Sequence, residues 1–210
     1  MVTYKARVAE RRDAEDTKTR ILSALGRIIV RDGLGGVGVN ALAREAGADK
    51  VLIYRYFADL DGVYEAYAEQ GDFWWTCDIL VAGIDPARVS LRKTVKLCLR
   101  RHAEELRRRP VTLAVLAAEP ALRTPLVVAL EGVRERRALE LNAWIAAHYE
   151  VPRRLDLEAI SLLVGAAINY LAARSRKVRV MSGIAIGTEA GWERLFGAID
   201  QIVDGAFKAG

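Results

Sequence analysis

The sequence predicts an all-α protein, and three observations carry that prediction. Apolar residues recur on a 3.6-residue period in most segments of the chain. The five prolines, Pro86, Pro110, Pro120, Pro125 and Pro152, all fall between those segments. A proline inside a helix removes a hydrogen bond and clashes with the preceding turn, so its natural place is a junction. Finally, no run alternates apolar and polar residues as a half-buried strand requires. The chain has 210 residues, 52% of them hydrophobic and 28% charged. That excludes a disordered chain and leaves room for one large core or two small ones. Cys77 and Cys98 are too few for a disulfide scaffold and read as small core hydrophobes. With only His102 and His148 beside them, and no close ligand spacing, neither a metal site nor a cofactor is expected.

The first helix is expected over about 17–32, with Ile21, Leu22, Leu25, Ile28 and Ile29 as its stripe. Asp16 or Thr17 suits its start and Gly33 its end. Upstream lies an arm with Lys5, Arg7, Arg11 and Arg12. Basic arms can enter an adjacent minor groove, but Glu10, Asp13, Glu15 and Asp16 offset most of this charge and favour a solvated tail. Gly33 to Gly38 then matches G-x-G-x-x-G letter for letter. A dinucleotide site needs a strand before that motif. A helix precedes this one, so the glycines are read as a helix stop and a tight linker.

A short helix fits Val39–Ala46, with Val39, Leu42, Ala43 and Ala46 inward; Gly47 breaks it and a second short helix fits Lys50–Phe57. Two short helices joined by a glycine-containing turn are the helix-turn-helix pattern. At about 100° per residue, setting Ile53 toward the core brings Tyr56 and Phe57 to the same side. Val51, Leu52, Tyr54 and Arg55 then point away. Such a face suits a major groove, where apolar groups meet thymine methyls and hydroxyls meet phosphates. A neighbouring helix covering Leu52 and Tyr54 would account for it equally well.

Further helical segments are expected at about 60–80, 88–109, 111–118, 125–149, 155–174 and 189–208, making about nine in all. The fourth is expected to run on through Tyr64, Tyr67, Phe73, Trp74 and Trp75 as a lever between two domains. Val178–Gly187 is the least helical stretch. The longest uncharged run, Ala159–Ala173, has 15 residues. A membrane span needs roughly 20, so the run is read as a buried helix. No apolar core follows the N-terminal charges as in a secretory signal, and the expected compartment is the cytoplasm. Polar and aromatic residues scattered on these apolar helices mark a candidate small-molecule pocket: Phe73, Trp74, His102, Trp144, Asn169 and Tyr170. Asn169 lies inside the uncharged run and needs a partner, either a neighbouring helix or a ligand.

The net charge of +5 is mild for this length. It is uneven, however. Residues 1–60 hold 11 Lys and Arg against 8 Asp and Glu, and residues 61–210 hold 21 against 19. The helix-turn-helix segment thus carries more than half the excess, in the direction phosphate attraction requires.

Thr19–Asp32, the LAREAG run Leu42–Gly47, Lys50, the YRYF run within Ile53–Phe57 and Asp61–Tyr67 together resemble the TetR family of one-component transcriptional regulators, over about 17–67. The resemblance implies a DNA-binding domain at 1–62 and a helical ligand-binding and dimerisation domain at 63–210. It implies base and phosphate contacts at Asn40, Lys50, Val51, Leu52, Tyr54, Arg55 and Tyr56. It also implies a homodimer through the helices at about 155–174 and 189–208, with recognition helices about 34 Å apart on a palindromic double-stranded operator. The function implied is a ligand-responsive regulator, most often a repressor released by a small molecule, and not an enzyme. Three positions depart from the family pattern: Gly38 replaces a Thr or Ser cap, Asp49 a Ser, and Leu60 a phosphate-contacting Lys. Two other classes compare less well. An all-α enzyme lacks a nucleophile elbow, a phosphate loop or paired metal ligands here. A protein-interaction or small-molecule-binding module using the helix-turn-helix only as scaffold would give no mobility shift with DNA.

Overall fold

The computed structural model describes residues 2–70 and 73–208; of the first ten side chains only that of Val8 is described. These residues form ten α-helices: α1 (Val2–Asp32), α2 (Val39–Ala46), α3 (Lys50–Phe57), α4 (Leu60–Glu69), α5 (Cys77–Val81), α6 (Leu91–Arg107), α7 (Pro110–Ala118), α8 (Pro125–His148), α9 (Leu157–Ser175) and α10 (Glu189–Lys208). A 3₁₀ turn, Leu34–Gly36, follows α1. Within the loop at 178–187 a single antiparallel bridge joins Met181 and Ile184. No other β structure occurs among the described residues, and the protein is all-α.

The helix ends follow local chemistry. Side-chain oxygens of Asp49, Asp59, Ser90, Thr124 and Asp156 accept backbone N–H bonds at the starts of α3, α4, α6, α8 and α9, satisfying donors that a helix start leaves unpaired. Pro110 and Pro125 stand in the first turns of α7 and α8, where a missing N–H does no harm. Gly33, at φ 76°, turns the chain out of α1. The glycine-rich segment is a helix stop and linker.

The first three helices close on Ile21, Leu25 and Ile28 of α1, Leu42 of α2 and Ile53 of α3, all fully buried. Arg27 and Arg31 of α1 clamp Glu45 of α2, at 2.7 and 2.8 Å. The same core continues without a break into the larger helical body. There α4 lies between α3 and α8, α1 also packs on α7, α9 packs on α6 and α7, and α10 packs on α6.

Four expectations need correction. Helix α1 begins at Val2, not near residue 17. Asp16 and Thr17 are therefore interior, and the basic arm is a helical extension with Arg11 and Arg12 exposed on it. The Lys5 and Arg7 side chains lie outside the described residues. The expected helix at 60–80 is broken: α4 stops at Glu69 and α5 starts at Cys77. Phe73, Trp74 and Trp75 between them are all buried. Three consecutive helical residues point some 100° apart, so a surface helix cannot bury all three; leaving the helix allows it. Helix four is thus no long lever. Lastly, the uncharged run is buried on one face only: Val164, Ile168 and Ala172 are inside, whereas Leu162, Leu163 and Tyr170 are exposed. Helix α9 is long and apolar enough by composition to cross a membrane, as a helix exposing one apolar face can be.

Candidate nucleic-acid interface and cleft

Ile53 anchors α3 at zero exposure, and the rest of the helix is oriented by that anchor. Lys50, Val51, Tyr54 and Arg55 are exposed and Leu52 is half-buried. Tyr56 and Phe57 are partly buried against the core, and the Lys18 ammonium lies 5.9 Å from the Tyr56 ring centre. Asn40, second residue of α2, is exposed. Among the described residues no helix covers Val51 or Tyr54. The seven candidate contact residues therefore fall into an outward set, Asn40, Lys50, Val51, Tyr54 and Arg55, and a partly covered pair, Leu52 and Tyr56.

The pose of this face is set at both ends of α3. Before it, Gly47 adopts a left-handed conformation (φ 59°, ψ 40°) and its N–H returns to Ala43 and Arg44 carbonyls, closing α2. After it, Ala58 has φ 68° and the Asp59 N–H reaches the Phe57 carbonyl at 2.8 Å, a tight and strained three-residue turn. The Phe57 carbonyl faces Gly62 so closely that a Cβ there would lie 1.9 Å from it. Glycine at 62 thus lets α4 meet the end of α3. Leu60, in the place of the usual lysine, is half-buried and packs on the core. The Arg27 and Arg31 guanidiniums hold the Glu45 carboxyl below its ordinary range, so the α1–α2 clamp is charged at neutral pH.

The second feature is a cleft of about 1500 Å³ in the helical body. Its walls come from α5 to α9, and from the last turn of α1 with Gly33. Trp74 and Trp75 stack at 4.3 Å between ring centres, and the His102 ring stands edge-on to Trp75 at 4.9 Å. His102 Nε2 lies 2.9 Å from Asn169 Oδ1 and donates to it. Burial disfavours the imidazolium and Arg134 repels it, against the opposing effect of the Asn169 bond; the result is a pKa lowered to about 4. The ring is neutral at physiological pH. What exposure it has opens into the cleft.

Of the six pocket candidates, the structure brings Trp74, His102, Asn169 and Tyr170 to the cleft, Tyr170 on its exposed edge. Phe73 and Trp144 do not line it. Phe73 is core, and its carbonyl accepts from Thr112 Oγ1 at 2.6 Å. Trp144 is occupied at the far end of α8, stacking on His148 at 4.4 Å and meeting Tyr149 edge-on. Sequence reasoning missed Trp75, Arg134 and Arg137 as wall residues. Trp75 adjoins a residue already singled out, but the two arginines sit in a run of charge that looks like a solvated helix face.

The cysteines serve as packing. Cys98 is buried beside the cleft, its thiol 3.7 Å from the Leu80 carbonyl and pushed up by burial to about 12. Burial also raises Cys77. Among the described residues no cluster of His, Cys, Asp and Glu is disposed to hold a metal ion.

Residues 21–67 match the family described as bacterial regulatory proteins, tetR family. No curated protein matches the chain in sequence. Among solved structures, a TetR-family transcriptional regulator from Rhodococcus sp. is similar over 89% of this chain and 98% of its own, at 22% identity and a TM-score of 0.64. One from Haemophilus influenzae covers 90% and 96%, at 19% identity and 0.58. The fatty acid degradation regulator FadR from Bacillus halodurans covers 89% and 94%, at 16% identity and 0.61.

Proposed function

We propose, for a chain with a TetR-family N-terminal domain and the fold of TetR-family transcriptional regulators, that it is a ligand-responsive, sequence-specific DNA-binding regulator acting as a cytoplasmic homodimer. In this reading residues 1–62 bind DNA, residues 63–210 bind the effector and the second subunit, and a small molecule releases the dimer from a palindromic operator as a repressor is released. The observation that carries it is the outward face of α3. Lys50, Val51, Tyr54 and Arg55 are exposed together around a fully buried Ile53. That is the mixture of cation, hydroxyl and apolar groups that a major groove receives.

The dimer is supported by α9 and α10, which leave Leu162, Leu163 and Ile202 in solvent. Reading a palindrome requires a twofold axis and recognition helices about 34 Å apart. The response to ligand is supported by the cleft wall. Arg31 lines the cleft and also binds Glu45 of α2. A molecule that fills the cleft bears on the last turn of α1, hence on the helix-turn-helix. It changes DNA affinity only so far as it binds the two conformations of the dimer unequally.

Tyr54→Ala and Lys50→Ala are expected to abolish operator binding at physiological salt while leaving the circular dichroism and melting temperature unchanged. Retention of operator affinity in both variants would refute the assignment of α3.

A further inference from the structure

We propose that the cleft takes an amphipathic carboxylic acid, an apolar body bearing one carboxylate, and that Arg137 holds the carboxylate. This rests on the reading of the cleft as the effector site. Arg137 projects from α8 into the cleft wall. Its Nη1 donates to both oxygens of Glu140, at 2.9 and 2.8 Å. Its Nε is buried and has no partner, alone in that respect among the buried side-chain nitrogens and oxygens of the described residues. A guanidinium presents two forks; the Nε–Nη2 edge is geometrically matched to a two-oxygen anion. Buried donors are nearly always satisfied, so an orphan beside a cleft points to what the cleft receives.

The neighbouring charges narrow the class. Arg134 is engaged: its Nη1 reaches both oxygens of Glu119 at 3.1 and 3.0 Å, and its guanidinium lies 5.7 Å from the Trp74 ring centre. Arg31 is taken up by Asp32 and Glu45. Three of the wall's five acids are engaged by groups of the chain itself. Glu119 and Asp32 are paired by these arginines, Asp156 caps α9, and Glu135 and Glu158 are exposed. The indole faces that attract cations elsewhere already have Arg134 over Trp74 and Arg109 over Trp75. The same wall carries six cationic side chains, Arg31, Arg134, Arg137, Arg174, Arg176 and Lys177, and Arg137 alone has a buried donor without a partner, beside a surface made by Trp75, Leu80, Val95, Leu99 and Ile145. An apolar acid fits both parts; a lipophilic cation fits neither the charge nor the occupied rings.

The test is calorimetric titration of the full-length protein with a panel of eight- to twelve-carbon straight-chain acids and phenylalkanoic acids, each beside its primary amide and its amine. At least one acid is expected to bind tenfold or more tighter than its amide, with its amine weaker still. Arg137→Gln is expected to bring that acid down to the amide's affinity and leave the amide unchanged. Glu140→Gln removes the negative charge beside Nη1 and is expected to retain acid binding, which separates the role of the fork from loss of the helix ion pair. If amides or amines bind as tightly as acids, or if Arg137→Gln has no effect, the acid assignment is overturned while the cleft stands as a binding site. If no member of the panel binds at millimolar concentration, the acid assignment and the effector-site reading fall together.

Discussion

Helices α3 and α9 both turn large apolar side chains outward, and they do so in opposite company. On α3, Val51 is 62% exposed and Tyr54 51%, with Lys50 and Arg55 between and beside them. On α9, Leu162 is 72% exposed and Leu163 71%, within a run from Ala159 to Ala173 that carries no charge. The eight residues of α3 make a small, mixed patch, suited to a partner that is itself charged and wet. The nineteen residues of α9 make a long dry one, suited to a protein surface of the same kind. Exposure alone marks neither function; the charges around it distinguish them.

The largest effect is expected on α9. Leu163→Glu places an unpaired charge in the proposed seam, where it would be stripped of water at a cost of several kcal/mol. Sedimentation is expected to show monomer at concentrations where the parent is dimeric, with the fold of each protomer intact. An unchanged mass would remove the contrast between the two helices, because α9 would then be as solvent-tolerant as α3.

Adjacent residues on α3 provide the next test. Ile53→Ala empties a fully buried site and is expected to destabilise the protein by about 2–4 kcal/mol in denaturant titration. Tyr54→Ala, one residue on and exposed, is expected to change stability by no more than about 0.5 kcal/mol while losing DNA. Equal stability losses would mean that Tyr54 is packing rather than recognition.

The smallest of the three concerns the cleft. The His102 ring takes a proton near its ordinary pKa of 6.5 when unfolded but only near 4 when folded. The unfolded state therefore binds more protons through that window, and stability must fall as pH drops from about 6.5 toward 4. At about 1.4 kcal/mol per unit the ceiling is about 3 kcal/mol, lowered by water in the cleft. His102→Gln is expected to flatten the slope of chemical-denaturation stability against pH in that window. A slope unchanged by the substitution would show that the cleft does not exclude solvent from the ring.

The parts of this architecture legible in the sequence were those written in period and punctuation. The stripe of α1, the inward residues of α2, the glycine at 47 and the Ile53 anchor of α3 all follow from 3.6-residue spacing and local turn chemistry. So do the later helices, bounded by prolines and caps. The N-terminal extension of α1 was hidden because its sequence carries no apolar stripe, and Val8, Arg11, Arg12, Asp13, Glu15 and Asp16 on it are exposed. The break after Glu69 was hidden for the opposite reason. Phe73, Trp74 and Trp75 extend an apolar pattern that only tertiary packing shows to be too wide for one helix face. The cleft was half legible. Asn169 stood out as a polar residue in an uncharged run, and its bond to His102 accounts for it. Arg134 and Arg137 did not, since a charged residue at a helix surface looks the same in sequence whether solvent or a cleft lies beside it.

The central claim is that α3 reads DNA and that the apolar faces of α9 and α10 double it about a twofold axis. In-vitro selection of DNA bound by the purified protein, with the mass of the resulting complex measured alongside, tests both halves at once. The expected result is an enriched palindrome whose half-sites lie about one helical turn apart, bound by an even number of chains. A site without symmetry, a complex containing a single chain, or no enrichment at low salt would contradict the account.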